Sequence, residues 1–256
     1  MASSLQPAPA GLLKALSNAP PKTCHAEPVD WESVLPQYTG CFALLIHDLL
    51  SPEECQSLLV AAEAAADNKW EGAMVNIGGG RQQLMTDVRL CDRILWDEPA
   101  LTDKLMTRIY SHLPENIATL KDSAFITGNG PVRRKETWKI TRANERLRFL
   151  KYTPGMYFRE HCDGSYITPD GQEMSFLTIH IYLNGTDQEK GKLPLTGGAT
   201  RFYRHNFVDY YDVNPRTGAC LVFQHRNLLH SGEDVVTGTK YTLRTDIMYK
   251  KVDTST

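Results

Sequence analysis

Between Leu147 and Tyr249 apolar and polar positions alternate in short runs, the period of an extended chain that buries one face. The runs are 147–153, 158–162, 175–184, 199–203, 219–224 and 240–249. Between them stand Thr153-Pro154-Gly155, Pro169-Asp170-Gly171, Asn184-Gly185, Gly197-Gly198, Pro215 to Gly218, and Gly238, all turn signals. Short strands at this spacing predict an antiparallel sandwich or barrel. Upstream, the apolar run 41–47 predicts a buried strand. It leads into Ser51-Pro52-Glu53-Glu54: an N-cap serine, proline at the first helical position and acids in the first turn. That helix is predicted to reach about Ala65, with Cys55, Leu58, Leu59 and Ala62 inward. A second helix, about 100–112, follows Pro99 and carries Leu101, Leu105, Ile109 and Leu113. Helices first and strands after predict an α+β, mainly β chain: a β-sandwich braced by N-terminal helices.

The remaining stretches are less periodic. Residues 1–37 are rich in Ala, Pro and Ser with one apolar patch at 12–16, and are predicted to be a mobile leader. Residues 72–88, with Gly78-Gly79-Gly80, are predicted to be a mobile loop, and no Gly-Lys-Ser/Thr follows to make the glycines a phosphate loop. Residues 114–145 are predicted to be an insertion over the functional site. This leaves one domain over 38–256, with helical support at about 38–145 and a strand core at about 146–250.

Composition narrows the partners. The chain is 41% hydrophobic and 23% charged with a net charge of −2, so no nucleic acid or anionic membrane is expected as partner. The clusters Arg133-Arg134-Lys135 and Arg142, Arg146, Arg148 are expected to be solvated faces. No apolar stretch approaches the roughly 18 residues of a membrane span, and the N-terminus has neither a secretory nor an organelle pattern. Six scattered cysteines without a CxxC pair predict free thiols in a reducing compartment, hence a cytoplasmic protein.

The candidate chemistry lies in His161-Cys162-Asp163 and in His230. Positions 161 and 163 share one face of an extended chain, Cys162 points the other way, and Gly164 leaves room beside them. Two imidazoles and one carboxylate can fill one face of a metal octahedron, an arrangement suited to non-haem Fe(II) with positions left for a bidentate co-substrate and O₂. His225 and His180 compete with His230 for the third place; His180 alternates with Thr178 and Tyr182 and is expected to be a hydrogen-bonded interior histidine. Lys240, ten positions after His230, shares a face with Thr242, Arg244 and Asp246. Two cations facing inward need an anion, and a dicarboxylate co-substrate supplies one; Asp246 is the alternative partner for Arg244.

The segments 144–152, 157–166, Tyr182-Leu183-Asn184, 197–202 and 229–249 resemble the prolyl-4-hydroxylase-like branch of the Fe(II)/2-oxoglutarate dioxygenases. The resemblance spans about residues 40–250 and is most specific from 147 onward. It implies a double-stranded β-helix, the cupin-like jelly roll. It also implies His161, Asp163 and His230 as iron ligands, Lys240 as the residue holding the distal carboxylate of 2-oxoglutarate, and Tyr152 and Tyr182 as co-substrate contacts. Arg244 remains a second candidate for either the co-substrate or a substrate carboxylate. The activity implied is O₂-dependent oxidation of an unactivated C–H bond with release of succinate and CO₂: hydroxylation, cyclisation or desaturation. Asn76, Arg81 and Arg89 are candidates for substrate contact at the mouth. A small amino-acid- or peptide-derived substrate is preferred over a prolyl residue in a protein, since neither a secretory pattern nor an appended peptide-binding domain is visible. A metal-free jelly-roll binding module would lack a ligand or the basic residue, and a zinc hydrolase would have no use for Lys240, Tyr152 and Tyr182.

Overall fold

The computed structural model describes residues 5–77, 81–187, 194–204 and 206–252. Two antiparallel sheets face one another. The larger runs in the order His25–Pro28, Ala43–His47, Cys220–Gln224, Glu173–Tyr182, Lys240–Val252, Arg146–Tyr152, Asp92–Asp97 and Glu71–Gly72. The smaller runs Tyr210–Val213, Thr200–Tyr203, His230–Gly232, Tyr157–His161 and Arg89–Leu90. This is a double-stranded β-helix, and every strand expected from the alternating runs is present. Tyr210–Val213, His230–Gly232 and Val235–Thr237 are additional, each too short to show a period in sequence.

Each face of the larger sheet has its own chemistry, because alternation divides the strands' side chains. Leu243, Ile247 and Tyr249 point to the core that also holds Trp96, Phe149, Ile179 and the helices. Lys240, Thr242, Arg244 and Asp246, of opposite parity, turn toward the smaller sheet. The helix Pro52–Ala65 is closed at its start by a capping box, with Glu54 N donating to Ser51 Oγ at 3.2 Å and Ser51 N to Glu54 Oε2 at 2.9 Å. Its buried face is Cys55, Leu58, Ala61 and Ala62, while Leu59 is half-buried. The helix Pro99–Tyr110 buries Leu101, Leu105 and Ile109 against the same core. Arg108 of this helix meets Glu54 at 2.7 Å and ties the two helices together.

Three expectations need correction. Residues 5–37 are packed rather than a mobile leader. The helix Ala10–Leu16 sets Leu12 and Leu16 into the main core, where their i, i+4 spacing forms an apolar stripe. The strand His25–Pro28 pairs with Ala43–His47, and Trp31 and Leu35 join a second core with Phe202 and Leu221. The 72–88 segment contains a short pairing of Val75–Asn76 with Gln82–Gln83; Gly78, Gly79 and Gly80 lie outside the described residues. The 114–145 segment does not cover the site. Ile117, Leu120, Ile126 and Ala143 are buried in the main core, and Thr137–Ala143 extends the larger sheet beside the far end of Lys240–Val252. The six cysteines are unpaired, as expected.

Candidate metal centre and its cavity

Tyr157–His161 and His230–Gly232 are neighbouring strands whose register sets His161 opposite His230. Opposed side chains on one face lie close enough to touch, and the two imidazole centroids are 4.4 Å apart. The strand ends at His161, and Asp163 turns back in just beyond it. One donor atom from each of His161, Asp163 and His230 falls within 4.8 Å of the others. His161 Nε2 lies 3.6 Å from Asp163 Oδ1, and His230 Nε2 lies 3.9 Å from Asp163 Oδ2.

The backbone orients both rings. His161 Nδ1 is 2.7 Å from the Arg159 carbonyl and His230 Nδ1 is 3.0 Å from that of Leu228. A carbonyl can only accept, so each Nδ1 carries the proton and each Nε2 keeps its lone pair for the centre. Burial, and then His161, pushes the His230 imidazole down to about 4, so it is neutral near pH 7. Burial opposes the charge on Asp163, yet Arg244 and the two histidines hold its carboxyl well below the usual carboxylate range. Thr178 Oγ1 donates to Asp163 Oδ2 at 2.5 Å and accepts from Arg244 Nη2 at 3.2 Å. Two imidazole nitrogens and one ionised carboxylate form a donor set that fits a divalent first-row metal with coordination positions to spare.

The triad opens on a cavity lined by both sheets. At one end Lys240 is 2% exposed and donates to the carbonyl of Gly198 at 2.5 Å. Gly198 stands at φ +70°, and a Cβ there would come within 3.0 Å of Lys240 Cδ, so the close approach depends on glycine. The ammonium also faces the rings of Tyr152 at 5.2 Å and Tyr182 at 5.8 Å. Among the described residues no carboxylate stands within ion-pair distance of it. Burial accordingly pushes the Lys240 ammonium down to about 8. Arg244 differs: Nη2 lies 2.9 Å from Asp163 and 3.4 Å from Asp246. Of the two cations the sequence left open, Lys240 is the one without an acid.

The structure brings the remaining candidates together only in part. Tyr152 lines the cavity. Tyr182 does not: its hydroxyl bonds Thr200 Oγ1, 2.7 Å away, and its ring is buried in the second core. Arg89 lines the cavity and is 9% exposed. Asn76 and Arg81 are exposed and are not among the residues that line the cavity. His225 is buried beside Asp246, with Nε2 at 3.5 Å from Oδ1, and stands outside the triad. His180 lines the cavity, and its buried Nε2 has no hydrogen-bond partner among the described residues, contrary to the expectation of a bonded interior histidine. Burial, and then the charges of Lys240 and Arg244, keep its imidazole neutral. Its parity with Thr178 was the signal available in sequence. Thr178 itself was missed, since nothing local ties it to a carboxylate fifteen residues earlier.

Residues 147–245 match the family model described as the 2OG-Fe(II) oxygenase superfamily. Among solved structures, the chain is similar to a prolyl-4-hydroxylase from Pseudomonas putida: TM-score 0.51, 17% identity, 84% of this chain and 97% of that one covered. It is also similar to a prolyl hydroxylase from Trichoplax adhaerens, solved with a hypoxia inducible factor peptide fragment: TM-score 0.51, 15% identity, 84% and 87% covered. No curated protein matches the chain in sequence.

Proposed function

We propose that the chain is a dioxygenase of the 2OG-Fe(II) oxygenase superfamily, using Fe(II), 2-oxoglutarate and O₂, and on that reading we assign the roles of its residues and its substrate. His161, Asp163 and His230 hold the iron, and Lys240 holds the distal carboxylate of 2-oxoglutarate. Tyr152 flanks that carboxylate, and His180 offers it or its keto end a neutral hydrogen-bonding edge. The substrate is a small amino-acid- or peptide-derived molecule, oxidised at an unactivated C–H bond by hydroxylation or a related cyclisation or desaturation. Iron and 2-oxoglutarate supply the oxidising power for this when bound, with succinate and CO₂ released. The protein's part is to hold the two imidazoles in one tautomer, to keep Asp163 ionised, and to exclude water from the cavity.

One observation carries the reading. A convergent His-Asp-His donor set shares its cavity with a buried lysine that has no carboxylate within ion-pair distance among the described residues. A hydrolytic metal site gives no reason for that lysine, whereas a dicarboxylate chelating the metal at one end does. We further propose that residues 38–256 act as one oxygenase domain with 5–37 packed onto it, and that the protein is cytoplasmic. Six unpaired cysteines support the second point, and no helix among the described residues is long and apolar enough to cross a membrane.

The test is anaerobic addition of Fe(II) and then 2-oxoglutarate, watching for the weak visible charge-transfer band of a metal-bound 2-oxo acid. The band is expected in the wild type and absent in His161→Ala. Tight Zn(II) binding with no such band would sink the assignment. O₂-dependent succinate release then screens free amino acids against prolyl peptides, the prolyl-peptide reading being the one that the screen would have to displace.

A further inference from the structure

We propose that Arg89 is the docking point for a carboxylate on the substrate, so that the substrate is a free carboxylic acid rather than an internal residue of a protein. This rests on the oxygenase reading above. Among the described residues, the cavity wall holds three cationic side chains, Arg89, Lys240 and Arg244, and one carboxylate, Asp163, with Asp246 and its partner Arg148 adjoining Arg244. Asp163 and Asp246 meet Arg244, and Asp246 also meets Arg148 at 3.3 Å. On the reading above, the far carboxylate of 2-oxoglutarate goes to Lys240, while Arg148 and Arg244 already have acids. One buried cation is then left without an anion, and it is Arg89.

The guanidinium is held in place and neutralised by nothing nearby. Arg89 sits opposite Phe158 in the smaller sheet, and its Cζ lies 4.5 Å from the centre of the Phe158 ring. Nε donates to Cys91 Sγ at 3.3 Å, and Nη1 reaches the Met74 carbonyl at 3.5 Å. No carboxylate among the described residues lies within ion-pair distance. A 9% exposed guanidinium in this state is costly unless an anion completes it, and its planar fork matches a carboxylate. Phe158 is in turn stacked on His161 with centroids 3.7 Å apart, so Arg89 is one ring removed from a proposed iron ligand. The two steps, 4.5 and 3.7 Å, hold the guanidinium within about 8 Å of the His161 ring. A carboxylate held there brings to the metal only carbons a few bonds along the same molecule. A proline inside a polypeptide has no free carboxylate at that distance.

The experiment uses the whole protein with Fe(II) and saturating 2-oxoglutarate under anaerobic conditions. Acetate and its neutral isostere acetamide are the probes, and the readout is relaxation of their methyl protons by the paramagnetic metal. Acetate is expected to bind saturably and acetamide not. Arg89→Met should weaken acetate binding by about tenfold or more, and Arg89→Lys by less, as befits loss of one charge-assisted contact. The affinity for 2-oxoglutarate should stay within about twofold of wild type in both. Equal relaxation of acetate and acetamide in the wild type overturns the proposal without any variant. So does acetate binding that survives Arg89→Met, or a parallel loss of 2-oxoglutarate affinity, which would make Arg89 a co-substrate residue. If no 2-oxo-acid band forms, the oxygenase reading itself has failed; if the band forms and acetate does not bind, only this proposal has.

Discussion

Lys240→Met should weaken 2-oxoglutarate binding strongly while leaving the ligand-free protein no less stable. In the free protein the Lys240 ammonium is 2% exposed, bonded to one carbonyl and pushed from 10.5 down to about 8 by burial. A shift of that size corresponds to about 3 kcal/mol of unfavourable burial for the protonated form. Methionine has a similar unbranched shape and removes that cost, but it leaves the Gly198 carbonyl unpaired, which costs roughly 1–3 kcal/mol. The two nearly offset, so the melting temperature of the free protein should hold or rise by a few degrees. With co-substrate the sign reverses. Truncating one partner of a buried ion pair costs about 2–5 kcal/mol, so the dissociation constant should rise roughly 30- to 4000-fold. Anaerobic titration calorimetry with Fe(II) present reads both constants directly. A 2-oxo acid without a distal carboxylate, 2-oxobutyrate, is the control, and its affinity should be nearly unchanged by the substitution. An affinity for 2-oxoglutarate within about threefold of wild type would refute the assignment, as would an equal loss for 2-oxobutyrate.

The same lysine sets a pH dependence. Lys240 binds an anion only when protonated, so 2-oxoglutarate affinity should be flat below about pH 8 and then fall by up to about tenfold per unit above it, while Lys240→Arg should remove the fall. In the ligand-free protein the unfolded chain holds this proton up to about 10.5 and the folded chain releases it near 8, so this group makes stability rise with pH across that window; chemical denaturation at several pH values checks the slope. Asp163→Asn should cut Fe(II) affinity, read by equilibrium dialysis, by about 10- to 100-fold or more, and should also lower the melting temperature of the metal-free protein, because Arg244 loses its nearest acid. Ser51→Ala, remote from the cavity, should cost about 1 kcal/mol by denaturant unfolding through loss of the cap on Glu54 N, with 2-oxoglutarate affinity unaffected.

Local rules carried most of the fold, and their failures have a common cause. The helix at Pro52–Ala65 is legible because its capping box and apolar stripe lie within one segment. His161 and Asp163 are legible for the same reason, being two positions apart in one extended run. The 5–37 segment was misjudged because each of its elements is too short to be stable alone and is ordered by partners far along the chain, Ala43–His47 for one and Arg108 for another. Tyr182 shows the limit of parity. Alternation correctly turns it toward the smaller sheet, but the reach of a tyrosine carries its hydroxyl to Thr200, which no local pattern reports. His180 and Thr178, on the same face, line the cavity, and Tyr182 does not.

The strand Lys240–Val252 joins fold and function most tightly. Its cavity face runs Lys240, Thr242, Arg244, Asp246, and at about 3.3 Å per residue Lys240 and Asp246 stand about 20 Å apart. Charge compensation changes along that line: among the described residues the first cation has no carboxylate within ion-pair distance, and the second, four residues on, meets two. An anion entering the cavity is therefore drawn to the Lys240 end, while Arg244 is occupied in steadying the carboxylate of the proposed metal site. The same residues guard the register. A slip of one position would turn Lys240 and Arg244 into the core of Trp96, Phe149 and Ile179 and bring Leu243 and Ile247 into the cavity. Burying those cations among apolar side chains costs several kcal/mol for each, far more than a displaced pairing could return. The polar cavity face thus also excludes the neighbouring register, and a chain stripped of its cavity cations for stability would lose part of what specifies its strand pairing.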